Sequence, residues 1–124
     1  MGTSTGIALS SGLCPGGVVL LPFPFSDLSE TKLRPALLIA ETGRGDWICC
    51  QITSQPYADP QAVEIDDNHF AKGSLRRISY VRPGKLFTAN RSLFRRSLGL
   101  ISANALESIR KALIAIISSP AASA

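Results

Sequence analysis

The sequence predicts a small, mainly β domain of the α+β kind: an antiparallel β-barrel-like sheet followed by a C-terminal α-helix. Three observations predict it. Short apolar runs bounded by Gly, Pro or Asp recur through the first hundred residues. Two of these runs are joined by Thr42-Gly43-Arg44-Gly45-Asp46, a turn of hairpin length. The clearest apolar stripe at helical spacing comes late, over residues 103–117. Strands first and a helix last suit a sheet packed against one helix.

The elements follow in order. Residues 1–15, rich in Gly, Ser and Thr, read as a flexible arm. Gly16-Gly17 opens strand one, Val18 to Phe23, which Pro22 and Pro24 should end because proline cannot donate to a ladder. Phe25 to Leu33 should be an exposed loop. Phe23 and Phe25 bracket Pro24 there, as core plugs or as platforms for a stacked base. Strand two is expected near 34–41 and strand three over Trp47–Thr53, as a hairpin. Pro56 and Pro60 bound a loop, Ala62–Ile65 is a short strand, and Asp66-Asp67-Asn68 is a turn with His69 beside it. Ser79–Thr88 reads as two strands or as one broken at Pro83-Gly84; residues 93–101 read as part turn, part strand. Ser102 caps the helix. Leu106, Ile109, Leu113, Ile116 and Ile117 form its apolar stripe, for core or dimer packing. Residues 16–118 make one domain and 119–124 a frayed tail.

Charge is uneven along the 124 residues. Residues 1–62 carry three basic against five acidic side chains, and residues 63–124 carry ten against four. Arg76, Arg77, Arg82, Lys85, Arg91, Arg95 and Arg96 crowd a short span, which favours a polyanionic partner; the bland alternative is a solvated basic face. No apolar run reaches the ~18 residues that cross a bilayer. No basic residue precedes Ile7-Ala8-Leu9, so no secretory signal is expected; the arginines sit on no obvious amphipathic helix, so no membrane role is expected, and the compartment expected is the cytoplasm. Cys14, Cys49 and Cys50 are odd in number. The adjacent pair would point to opposite faces of a strand, so reduced thiols are expected. With one histidine, no metal-ligand spacing and no Gly-rich phosphate loop, neither metal nor cofactor is expected.

The chemistry concentrates at Arg34-Pro35-Ala36-Leu37-Leu38-Ile39 and Ile52-Thr53-Ser54-Gln55. The first puts a permanent cation at the mouth of a buried strand. The second puts two hydroxyls and an amide at the end of the next strand. A guanidinium beside hydroxyl donors can hold a phosphodiester and stabilise charge on it. The structural alternatives are an ion pair of Arg34 with Glu30 or Asp27, and a Thr53 present only for its strand propensity. Arg82 and Lys85 are phosphate binders or surface charges.

These segments, with Gly16-Gly17-Val18-Val19-Leu20-Leu21-Pro22-Phe23, Lys32-Leu33 and the Lys85-Leu86 strand, resemble the MazF/PemK family of toxin ribonucleases from type II toxin–antitoxin systems. The match spans roughly residues 16–118 in order. The resemblance implies an SH3-like barrel that forms a homodimer. It implies metal-independent cleavage of single-stranded RNA at short sequences, leaving 2′,3′-cyclic phosphate and 5′-hydroxyl ends. It also implies inhibition by a cognate antitoxin laid over the RNA groove. Arg34 matches the family's catalytic arginine and Thr53 its catalytic hydroxyl residue. Gln55 matches an RNA-holding position, with Ser54 beside it, and Glu30 lies in a loop where many members carry an acid. Phe25 and Lys85 join them as candidate substrate contacts. Gly17 departs from the pattern, standing where most members have an acid. The alternatives are a binding protein of the same fold acting on a protein target such as gyrase, and an inactive RNA-binding relative.

Overall fold

The computed structural model describes residues 12–24, 31–56 and 58–120. They form seven strands and one α-helix: β1 (Gly17–Pro24), β2 (Thr31–Gly43), β3 (Asp46–Thr53), β4 (Val63–Ile65), β5 (Phe70–Gly73), β6 (Ser79–Asn90), β7 (Arg96–Ile101) and α1 (Ala103–Ser118). All pairings are antiparallel, in the order β4-β6-β3-β2-β1-β7-β5.

The sheet has to curl. β4 and β5 lie at its opposite edges, six strand spacings apart, or about 29 Å if the sheet were flat. Yet only residues 66–69 join them, a link that reaches about 18 Å at full stretch. Part of that link is a 3₁₀ turn, Asp67–His69, which shortens it further. Bulges at Val18/Val19, Leu38/Ala40 and Cys50/Gln51 supply bends. The result is a seven-stranded half-barrel.

Alternation then sorts side chains to two faces. Val18, Leu37, Ile39, Cys50, Ile52, Ile65, Val81 and Ile101 form one buried cluster with Ala105, Ile109 and Leu113 of α1. Val19, Leu21, Ala36, Leu38, Trp47, Cys49, Ala89 and Phe94 form another, with Leu13, Phe23 and Phe87 packed against it. Cys49 and Cys50 therefore face apart, and the described thiols are all free. Burial pushes both thiols up to about 12, for Cys50 with help from its neighbour, so neither is a nucleophile near neutrality.

Several expectations change. Pro22 does not end β1. The ladder to β7 stops at Leu20, so from Leu21 onward β1 is paired only to β2, and a proline fits on that one-sided stretch. Ser79–Asn90 is one strand, not two. Cys50 pairs with Leu86 and Gln51 with Arg82, so Pro83-Gly84-Lys85 bulges out of an unbroken strand. β5 is an addition that its four residues did not announce. The expected hairpin is present: Arg44 (φ 57°) and Gly45 (φ 82°) both take the left-handed backbone that a two-residue turn requires. Ser102 caps α1, its hydroxyl accepting from the Ala105 N–H at 3.2 Å. Ile109 and Leu113 are buried and together contribute about 4 kcal/mol of apolar transfer. Ile117 is 68% exposed despite its stripe position.

Candidate active site

The site begins where two strands part. β2 and β3 stay paired down to Ala36 and Gln51. Beyond that point β2 is bonded only to β1, through Leu20–Pro35 and Leu21–Arg34. β3 continues only with β6, through Ile52–Val81 and Thr53–Tyr80. Pro35 sits at the divergence and has no N–H to give a ladder. Two residues further along the old register, Arg34 stands across from Thr53.

The gap is a cavity of about 260 Å3. Leu20, Pro35, Ile52, Leu75 and Leu98 give it apolar walls, and Arg34, Thr53, Ser54, Arg77 and Ser79 bring the polar groups. Thr53 is 7% exposed and its hydroxyl is held twice. It accepts the Gln55 N–H at 3.1 Å and donates to the Gln55 carbonyl at 3.1 Å. The backbone of Gln55 thus orients Thr53, while Ser54 is exposed at the rim. Ser79 is buried, its hydroxyl donating to the Arg77 carbonyl at 3.3 Å. A buried hydroxyl there ties the backbone that carries Arg77.

The sequence-predicted candidates divide into three groups. Arg34, Thr53 and Ser54 come together in this cavity. Gln55 and Lys85 do not line it. Lys85 lies on the β6 bulge, and its charge is felt instead by Asp59, whose carboxylate bonds the Arg82 Nε at 2.8 Å. Arg82, then the Gln61 N–H, hold that carboxyl below the usual carboxylate range. Arg82 is therefore committed to a structural ion pair, with Gln51 Oε1 a further 3.5 Å contact. Phe25 and Glu30 lie outside the described residues, as does Asp27. His69 is a turn residue whose Nδ1 accepts the Asp66 N–H at 2.9 Å. Arg77 is the functional candidate that the sequence did not single out: it is one of seven basic residues in a run, and only the path of residues 74–78 brings it to the cavity that Arg34 lines.

The lining has a definite chemical character. Among the described residues it offers two guanidinium groups and three hydroxyls, and no carboxylate or imidazole. Such a set attracts and orients a phosphate and withdraws charge from it. Among the described residues no group of three His, Cys, Asp or Glu side chains is placed to hold a metal ion. No helix there is long and apolar enough to cross a membrane.

A family model described as "PemK-like, MazF-like toxin of type II toxin-antitoxin system" matches residues 15–117, and the chain belongs to that family. Solved structures agree in fold. An endoribonuclease of a mycobacterial species, in complex with its cognate antitoxin, superposes with a TM-score of 0.65 at 16% identity, over 90% of this chain and 99% of that one. A chain of the MazE–MazF structure from Deinococcus radiodurans gives 0.66 at 21% identity, over 86% and 96%. The Mycobacterium tuberculosis toxin MazF-mt6 gives 0.61 at 15% identity, over 82% and 98%. No curated protein matches the chain.

Proposed function

We propose that the cavity between the parted ends of β2 and β3 binds and cleaves a phosphodiester of single-stranded RNA, making the chain an endoribonuclease toxin. The observation that carries this reading is the convergence of Arg34 from β2 with Thr53 and Ser54 from the end of β3 in one half-apolar cavity.

RNA brings its own nucleophile, the 2′-hydroxyl. The protein has to align that hydroxyl with the phosphorus, stabilise the charge that builds on the non-bridging oxygens and let the 5′-oxygen leave. Arg34 forks onto the phosphate. Arginine stays charged throughout, so its part is electrostatic. Thr53 turns its O–H from the Gln55 carbonyl to a phosphate oxygen. The Gln55 N–H keeps hold of the threonine oxygen meanwhile, so the donor moves without losing its place. Ser54 offers a second hydroxyl at the rim, and Gln55, Glu30, Phe25 and Lys85 meet the flanking nucleotides. The products are a 2′,3′-cyclic phosphate and a 5′-hydroxyl, and no step passes through a metal or cofactor.

Other parts of the reading follow the family. The working domain is 16–118, with 1–15 an arm and 119–124 a tail, and the half-barrel is of the SH3-like type. It acts in the cytoplasm, and a cognate antitoxin silences it by covering the groove. Ile114 and Ile117 leave an apolar strip exposed on α1, which supports packing against a second copy.

The test is substitution at Thr53. Thr53→Ala should lower kcat on single-stranded RNA by about 10²-fold, the usual loss for one oxyanion donor. Thr53→Ser, which keeps the hydroxyl, should recover most of it. Equal rates for wild type and Thr53→Ala would remove Thr53 from the mechanism.

A further inference from the structure

A second groove adjoins the first. It encloses about 450 Å3 and is lined by Gly73, Ser74, Leu75, Arg76, Arg96, Ser97 and Leu98. Leu75 and Leu98 line both cavities, so the two are separated only by an aliphatic ridge.

Its charges are arranged against the protein's own interest. β5 and β7 cross at the Gly73–Gly99 pair. Three residues beyond that pair on each chain stand Arg76 and Arg96, two like charges across one groove. Like charges placed opposite one another repel. Among the described residues neither guanidinium has a carboxylate partner. Arg76 also sits at φ 62°, a left-handed backbone that a long side chain rarely takes. It is held there rather than drifting. The Arg76 N–H donates to Ser74 Oγ at 2.7 Å, and Ser74 Oγ donates to Asp67 Oδ1 at 2.6 Å. A pinned, strained turn thus sends Arg76 to one cavity and Arg77 to its neighbour. An anion between Arg76 and Arg96 would relieve their repulsion, and two adjacent anion-seeking grooves suit a chain carrying regularly repeated phosphates.

We infer that the Arg76/Arg96 groove is a backbone subsite for the same RNA strand, gripping a phosphate beyond the one held by Arg34 and Arg77. The inference rests on the ribonuclease reading for its ligand. The ridge between the grooves is aliphatic, and among the described residues no aromatic ring lines the second groove for a base to stack on. The subsite therefore reads the sugar–phosphate chain and adds affinity with length rather than sequence.

The test uses the full chain and fluorescent 2′-O-methyl uridine oligomers of about four and about twelve nucleotides, which lack the attacking hydroxyl; each phosphate contact on a single strand contributes about 0.7 to the salt slope. Wild-type protein should bind the longer oligomer at least ~10-fold tighter. In Arg76→Asn/Arg96→Gln that gain should vanish, and the log–log salt slope should fall by about 0.7, the share of the one phosphate lost. Asparagine tolerates the left-handed backbone, so the turn survives. Arg96→Lys, which keeps the charge, should retain most of the gain. Persistence of the length gain in the double variant overturns the subsite and leaves the groove to an acidic polypeptide.

Cleavage of a long RNA by wild type, run in parallel, separates the two claims. Cutting with an unaltered length gain overturns the subsite alone. No cutting, with a gain that depends on the arginines, removes the ribonuclease reading and keeps the phosphate track. Binding of neither oligomer overturns both.

Discussion

Arg34→Ala should lower kcat for RNA cleavage by about 10²–10³-fold with little loss of stability. Arg34 is half-buried at the point where β2 leaves β3, and it lies outside both apolar clusters. Its removal takes a guanidinium from the cavity without opening a hole in the core. Arg34→Lys should recover only a small part of the activity. A lysine restores the charge but not the planar pair of donors that meets two phosphate oxygens at once. The informative readout is the split between constants. If Arg34 acts on charge that develops during the reaction, kcat falls much more than KM rises. A rise in KM alone would make Arg34 a general RNA-binding residue. Arg77 offers the useful contrast: it shares the cavity but not the register opposite Thr53, and its loss should raise KM more than it lowers kcat.

Gly99→Val should cost about 3 kcal/mol, which at this chain length lowers Tm on the order of 10 °C. The reason is local. Gly73 and Gly99 are paired where β5 crosses β7. A Cβ on Gly99 would run into the Lys72 carbonyl oxygen, and one on Gly73 into that of Leu98. Both obstacles are backbone, so neither can swing aside. Gly73 adds a φ of 74°, which a larger residue would hold under strain. The damage should reach function as well as stability. β5 leads straight into residues 74–78, which bring Leu75 and Arg77 to the cavity and Arg76 to its neighbour. Gly84→Ala is the fitting control. Its nearest obstacle is the Gln61 side-chain oxygen at 3.4 Å, an ordinary contact, so the change should be close to neutral. Thermal melts of the variants decide the point, and equal melting of Gly99→Val and wild type would contradict the close crossing.

Much of this could be read in the residues, and what could not has physical causes. The β2–β3 hairpin was legible because Gly43-Arg44-Gly45 allows one turn, but two register shifts between that turn and the site, at Glu41/Gly43 and Leu38/Ala40, are what bring Arg34 opposite Thr53. The C-terminal helix was legible because its stripe and Ser102 cap agree. Pro22 misled because a proline marks a strand's end only where both sides of the strand are paired. β5 left no trace because four residues are too few to show a period of two. Its real signature is the Gly73–Gly99 crossing, which is a property of two distant segments. Arg77 went unseen for a similar reason. Nothing in Leu75-Arg76-Arg77 separates the two arginines, and only the turn at Arg76, pinned through Ser74 to Asp67, sends them to different cavities. Arg82 shows the converse. It stands in the same basic run, yet Asp59 from the preceding loop claims it.

What remains to be tested is whether the parted ends of β2 and β3 cleave a phosphodiester through the RNA's own 2′-hydroxyl. The most direct measurement is to incubate the purified protein with a long single-stranded RNA in EDTA and map the ends of the products. Cuts are expected at a short recurring sequence, with 2′,3′-cyclic phosphate on one side and 5′-hydroxyl on the other. Products bearing 5′-phosphate, or cutting that requires added divalent metal, would contradict cleavage through the 2′-hydroxyl.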